Sequence, residues 1–258
     1  GRRAMQSEGK MRNRNRWLIV ISIVVFLTGL AVLLYPAYTD RLYRKEVQQQ
    51  RTAFEEQIEA AFERQIEAAK ERAPEEPLPA LPFEDLYQEL KRRNETLFAE
   101  KQKDLKDPFS YQQPAVALSE FGLEGNIIGF ISIPKMEIEL PILLGANTEN
   151  MREGAVHLTE TSYPIGGVNT NCVLAAHRGS SRAAMFRDIE ALEIGDEIYI
   201  RNFRETLTYQ VAELRVISPT DVQELLIQNG RDLVTLITCH PYRHNYQRYV
   251  VFCERVQP

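Results

Sequence analysis

The chain has 258 residues, 44% of them hydrophobic and 26% charged, with a formal net charge of -5. That is enough for one well-formed core plus accessory segments. The acidic balance excludes a dedicated nucleic-acid binder, because phosphate contacts need clustered Lys and Arg and no basic stripe occurs beyond residue 16.

Residues 1–16 carry Arg2, Arg3, Lys10, Arg12, Arg14 and Arg16 against Glu8 alone, and run straight into an uncharged stretch, WLIVISIVVFLTGLAVLLY, over 17–35. At about 1.5 Å per helical residue this stretch spans the hydrocarbon layer of a bilayer, and the basic flank keeps its own end in the cytoplasm. The expectation is a basic cytoplasmic tail, a retained transmembrane anchor and everything afterwards outside. A cleaved signal peptide is the alternative, against which stand the length of the apolar run and the lack of a clean small-x-small site in YPAYTD. Gly1 to Met5 resemble a cloning scar, with Met5 and Met11 both open as natural starts.

Residues 36–73 are expected to form a helical stalk. Phe54, Ile58, Phe62 and Ile66 recur every four residues as one apolar stripe, which suits a free stalk, a self-associating coil or a helix laid on the following domain. PEEPLPALP at 74–82 holds four prolines and reads as a semi-rigid linker. A second helix is predicted over 83–105. From there on the texture is of short apolar strands divided by turn residues: NIIGFISIP, IELPILLG, NCVLAAH, EIYIRN, LTYQVAELRVI, LVTLITC and RYVVFCERV. These predict a mainly β domain, a barrel or sandwich, over 116–258, with helical turns at 183–192 and 221–228.

Three cysteines in an exported chain cannot all pair internally, which points to a functional thiol. Cys172 and Cys253 lie in apolar stretches and read as small core residues. Cys239 differs, since it ends the apolar run LVTLITC and is followed at once by the turn-prone His240-Pro241-Tyr242-Arg243. His177 ends the run VLAAH in the same way, and Arg248 opens RYVVF nine residues after Cys239. Strand ends of one sheet can bring thiol, imidazole and guanidinium together. A free thiol is only a few per cent thiolate at neutral pH, so neighbouring cations raise its nucleophilic fraction. The imidazolium can protonate a leaving amine and the guanidinium can stabilise an oxyanion, which together describe acyl transfer through a thioester. Among the other histidines, His240 points to the face opposite Cys239, His157 sits between apolar neighbours as a packing residue, and His244 lies in the loop. A zinc site from Cys239, His240 and His244 is a weak alternative, and no cofactor is implied.

At these residues the sequence resembles the sortases, and within them the class C, pilin-polymerising group. Thr235-Leu236-Ile237-Thr238-Cys239 matches the TLxTC signature, Ala176-His177 the histidine motif, and Arg248 the arginine at its expected offset. The segment TSYPIGG at 161–167, Ser218-Pro219, and Pro241-Tyr242 with Asn245 agree as well. The resemblance implies a sortase-like closed β-barrel with short helices, preceded by N-terminal helices and the membrane segment. It assigns Cys239 as nucleophile, His177 as general acid and base, and Arg248 as stabiliser of oxyanion and substrate. Asp107-Pro108-Phe109 resembles the lid motif of the pilin sortases, implying Asp107 near Arg248 and Phe109 over Cys239; the same residues also suit a plain turn after a helix. It argues further against a disulfide between Cys172 and Cys253, because the strand of Cys239 should lie between theirs. Departures are Ser180-Ser181 where Leu-Pro is common, and no second, C-terminal membrane helix of the kind many class C members carry.

The expected function is cleavage of an LPxTG-like sorting signal and transfer of the acyl group to a pilin lysine in a Gram-positive envelope. The alternatives are transfer to a peptidoglycan precursor amine, hydrolysis by a cysteine protease, and a non-catalytic stalked adaptor that binds sorting signals.

Overall fold

The computed structural model describes residues 2–70, 81–103, 105, 113–180 and 182–256. The chain divides into two compact units, one of residues 1–43 with 181–183 and the other of 44–180 with 184–258.

A single helix, α1, covers Arg2–Lys70 and carries Pro36 inside it. From Trp17 onward it is long and apolar enough to cross a membrane, with a mean hydropathy of 2.8 over its most apolar window. The Thr28 hydroxyl donates to Val24 O one turn back, so this polar side chain is satisfied within the helix.

In the larger unit, the remainder of α1 lies on the β domain, which selects one of the three roles its stripe allowed. Val47 and Phe54 are buried, and Phe54 meets Phe130 edge-on at 5.6 Å between centroids. Around that contact Arg201 donates twice to Glu55, at 2.9 and 2.7 Å, holding its carboxyl below the usual range. Arg51 pairs with Glu139, and the Arg44 guanidinium donates to Glu137 O at 2.9 Å. Phe62 and Ile66, lower on the predicted stripe, are exposed.

The second helix, α2, runs over Glu84–Ala99, shorter than the predicted 83–105. It buries Leu86, Leu90 and Asn94, one residue per turn. Beyond it Lys101 and Gln102 take left-handed φ values of 56° and 45°, which no helix tolerates. The Gln102 amide then donates to Glu160 O at 2.9 Å and accepts from Ile227 N at 2.6 Å.

Eight strands follow: β1 (Ile127–Ile133), β2 (Ile138–Leu144), β3 (Ala155–His157), β4 (Thr170–Ala175), β5 (Glu197–Asn202), β6 (Thr206–Ile217), β7 (Asp232–His240) and β8 (Gln247–Arg255). They close into a barrel in the order β1-β2-β3-β4-β7-β8-β6-β5, as the sequence led us to expect. The predicted strands fall within a residue or two of those observed; only β3 was not foreseen. A short helix, α3 (Asn150–Glu153), precedes β3, and the turns expected at 183–192 and 221–228 contain 3-10 segments at Ile189–Ala191 and Val222–Leu225. Closure needs β1 and β5 in tight apposition at Gly129, where an added Cβ would lie 2.4 Å from Arg201 O.

Two pairings in the barrel are parallel, β2 with β3 and β4 with β7. The outer face of β4, β7 and β8 carries a buried cluster including Val173, Ala175, Ile237, Val250 and Phe252, roofed by Leu225 of the β6–β7 connection and by Leu105. Burial on both faces explains why β7 reads as an unbroken apolar run rather than an alternating one.

Candidate active site

The parallel register of β4 on β7 pairs Ala175 with Ile237. Two residues further along each chain stand His177 and Cys239. Past the last ladder pair the chains stay together, since Ala176 N donates to Ile237 O at 3.3 Å and the buried Thr238 hydroxyl donates to Ala176 O at 2.7 Å. On the other side of β7, Cys239 is directly paired with Arg248 of β8. Imidazole, thiol and guanidinium therefore form one row across three neighbouring strands, on the same face as Ala175, Ile237 and Val250. Strands lie about 4.8 Å apart, so imidazole and guanidinium both start within reach of the sulfur.

Arg248 is 5% exposed, and its Nη1 lies 4.0 Å from Cys239 Sγ. The same nitrogen donates to Asn245 O at 2.8 Å and to Gln247 O at 3.1 Å, so carbonyls of the β7–β8 turn fix the guanidinium beside the sulfur. Half-burial of His177, aided by the positive charge of Arg152, lowers its pKa below the ordinary imidazole value. The neutral ring is thus favoured at neutral pH. It can accept the thiol proton and, once charged, is a ready acid.

Cys239 is half-buried, whereas Cys172 and Cys253 are buried and their thiols are pushed up by desolvation. No disulfide joins any two of the three. Cys172 and Cys253 both pair with Val234, one from each side, so β7 separates them as expected.

The other histidines stand where the sequence placed them. His157 is buried, stacked on Tyr163 at 4.7 Å, with Nε2 3.1 Å from the carbonyls of Thr161 and Ser162. His240 faces away from the thiol, and its Nδ1 lies 2.9 Å from Arg178 Nη1 and 3.0 Å from Glu190 Oε1. His244 packs against Tyr246 in the loop. No role was legible in the sequence for Arg178, Glu190 or Arg152. Arg178 carries a signal in hindsight, because it follows His177 as His240 follows Cys239, and so must share the opposite face with it.

Asp107, Pro108 and Phe109 lie outside the described residues. The described positions on either side are both anchored: Leu105 belongs to the cluster beneath the row, and Gln113 O accepts from the Thr159 hydroxyl at 2.7 Å.

Residues 131–256 match the sortase domain. Sortase A of Bacillus anthracis is 33% identical over 179 residues, which are 66% of this chain and 83% of that protein. The chain belongs to the sortase family. Sortases are cysteine transpeptidases, and this chain is accordingly an enzyme of that kind. Among solved structures it is similar to sortase C1 of GBS Pilus Island 1, with a TM-score of 0.64, 29% identity, and coverage of 77% of this chain and 96% of that one. It is also similar to the lid mutant of Streptococcus agalactiae sortase C1, with a TM-score of 0.62, 27% identity, and coverage of 77% and 97%.

Proposed function

We propose that this sortase polymerises pilin, with Cys239 as nucleophile, His177 as general acid and base, and Arg248 as oxyanion and substrate stabiliser. The observation that carries the assignment is the single row formed by the three side chains across β4, β7 and β8.

His177 takes the Cys239 thiol proton, and the thiolate attacks the threonine carbonyl carbon of an LPxTG-like signal. Arg248 donates to the resulting oxyanion, held in place by the carbonyls of Asn245 and Gln247. Collapse breaks the Thr-Gly C–N bond, the imidazolium protonates the departing glycine amine, and the acyl group remains as a thioester on Sγ. A lysine amine of the next pilin subunit then adds to the thioester carbonyl, loses a proton to His177 and expels the thiolate, leaving an isopeptide bond.

Pilin as substrate is favoured by the likeness to a sortase C1 whose name places it in a pilus island. The relative described as a lid mutant supports reading Asp107, Pro108 and Phe109 as a lid segment. The basic residues before the apolar stretch of α1 favour a membrane anchor with the barrel outside the cell. The likeness to a Streptococcus agalactiae sortase supports a Gram-positive envelope, with LPxTG-bearing pilins or surface proteins as partners. Transfer to a peptidoglycan precursor amine is the second reading, kept by the 33% identity to a protein named sortase A.

Incubating the full chain with an LPxTG peptide should give an acyl adduct by mass spectrometry that vanishes in Cys239→Ala. With purified pilin, a ladder of covalent multimers is expected. No adduct, even in Phe109→Ala, would refute Cys239 as the nucleophile, and an adduct without a ladder would refute the choice of pilin lysine as acceptor.

A further inference from the structure

We propose that Arg178 is a positioning residue for the transfer reaction, clamping the strand ends that carry His177 and Cys239 from the face opposite the thiol. The inference rests on Cys239 being the nucleophile.

The β4–β7 ladder ends at Ala175 and Ile237, two residues short of the reacting pair. One backbone bond remains beyond that point, Ala176 N to Ile237 O at 3.3 Å, and past it side-chain bonding holds His177 level with Cys239. The Thr238 hydroxyl makes the first bridge, to Ala176 O. Arg178 makes the next, since its Nη1 lies 3.4 Å from Cys239 O and 2.9 Å from His240 Nδ1. Because β4 and β7 are parallel, the residues after the imidazole and after the thiol again stand side by side, on the reverse face. The guanidinium thus spans from one catalytic strand to the carbonyl of the nucleophile itself. Its Nη2 is held by Glu190 Oε2 at 2.7 Å, on the β4–β5 connection that also donates Phe186 N to His177 O at 3.0 Å.

Stability alone is a poor reason for this arrangement. The Arg178 side chain is 6% exposed, and its Nε has no hydrogen-bond partner among the described residues. Burying a guanidinium so incompletely satisfied gains little over an apolar side chain of similar volume. A fixed fork rooted just past β4, with donors to the end of β7 and to Glu190 of the β4–β5 connection, however, sets the sulfur's position against His177 and Arg248 in a way an apolar residue could not.

The test compares the full chain with Arg178→Met, Arg178→Lys and Glu190→Gln. Two quantities are read: the pH profile of Cys239 alkylation by iodoacetamide, which needs no substrate, and kcat and KM for an LPxTG peptide. Displacing the sulfur by an ångström is expected to lower kcat about 10- to 100-fold in Arg178→Met with KM nearly unchanged. The alkylation profile should move toward higher pH as the thiolate loses its cations. Arg178→Lys should recover part of both, and Glu190→Gln should show a smaller change in the same direction. Folded variants with the wild-type alkylation profile and kcat would overturn the proposal. If Arg178→Met fails to fold, an unaltered profile in Arg178→Lys and Glu190→Gln would overturn it equally. Failure of the underlying reading is distinguishable, because Cys239→Ala would then still turn over the peptide.

Discussion

Acid should weaken this fold through His157, by an amount that follows from its burial. The ring is buried between β2 and β4, stacked on Tyr163, with its Nε2–H serving two carbonyls, and among the described residues no acceptor or carboxylate meets Nδ1 to reward a second proton. Burial lowers its pKa from 6.5 to about 4. Between those values the unfolded chain binds a proton that the folded chain refuses. The stabilisation is therefore complete above about pH 6.5 and is lost as pH falls toward about 4. At about 1.36 kcal/mol per pKa unit, the loss between pH 7.5 and pH 4.5 comes to roughly 2–3 kcal/mol. Urea unfolding of wild type and His157→Gln at both pH values isolates this part, since carboxylates titrate alike in the two proteins. Wild type should lose about 2–3 kcal/mol more than the variant on acidification. Equal losses would refute the reasoning and mean that the ring accepts a proton in place.

Three further outcomes can be measured. Arg248→Lys keeps the charge but not the fork, and should lower kcat for peptide cleavage about 10²- to 10³-fold, as for loss of an oxyanion donor, with little change in KM. Titration of native protein with a disulfide reagent should count one reactive thiol, Cys239, and three after denaturation, because Cys172 and Cys253 are buried with raised pKa. Asn171→Ala should cost about 2–5 kcal/mol in denaturant unfolding, since it strands the buried Thr235 hydroxyl and Leu225 carbonyl that Asn171 now satisfies at 2.7 and 2.9 Å.

The strands were legible because seven of them are apolar runs bounded by turn residues, and a barrel buries both faces of several. β3 was not, since Ala155, Val156 and His157 are too few to show a period, and its parallel partner β2 is not adjacent in local pattern. Cys239, His177 and Arg248 announced themselves by ending or opening apolar runs. Their alignment in one row depends on the parallel β4–β7 register, a long-range pairing that no local pattern encodes. The same limit hid Arg178, whose partner Glu190 arrives from a separate connection. For α1 the stripe of Phe54, Ile58, Phe62 and Ile66 was real in spacing but only partly used. The docking contacts are instead Phe54 with charged partners such as Glu55 and Arg51, which hydrophobic periodicity does not register.

The strand that bears the thiol has neighbours along both sides. β7 is paired with β8 as far as His240 and with β4 as far as Ile237, and past Ile237 the Thr238 hydroxyl and Arg178 bridge the β4 flank, so the closed barrel leaves no bare edge at the thiol. An extended sorting peptide therefore cannot be read at Cys239 by adding itself as another strand, with its main chain supplying affinity. It must be gripped by side chains and by the connections that roof the β4–β7–β8 face. Discrimination between one sorting signal and another is thus free to drift with those connections while the reacting row stays fixed.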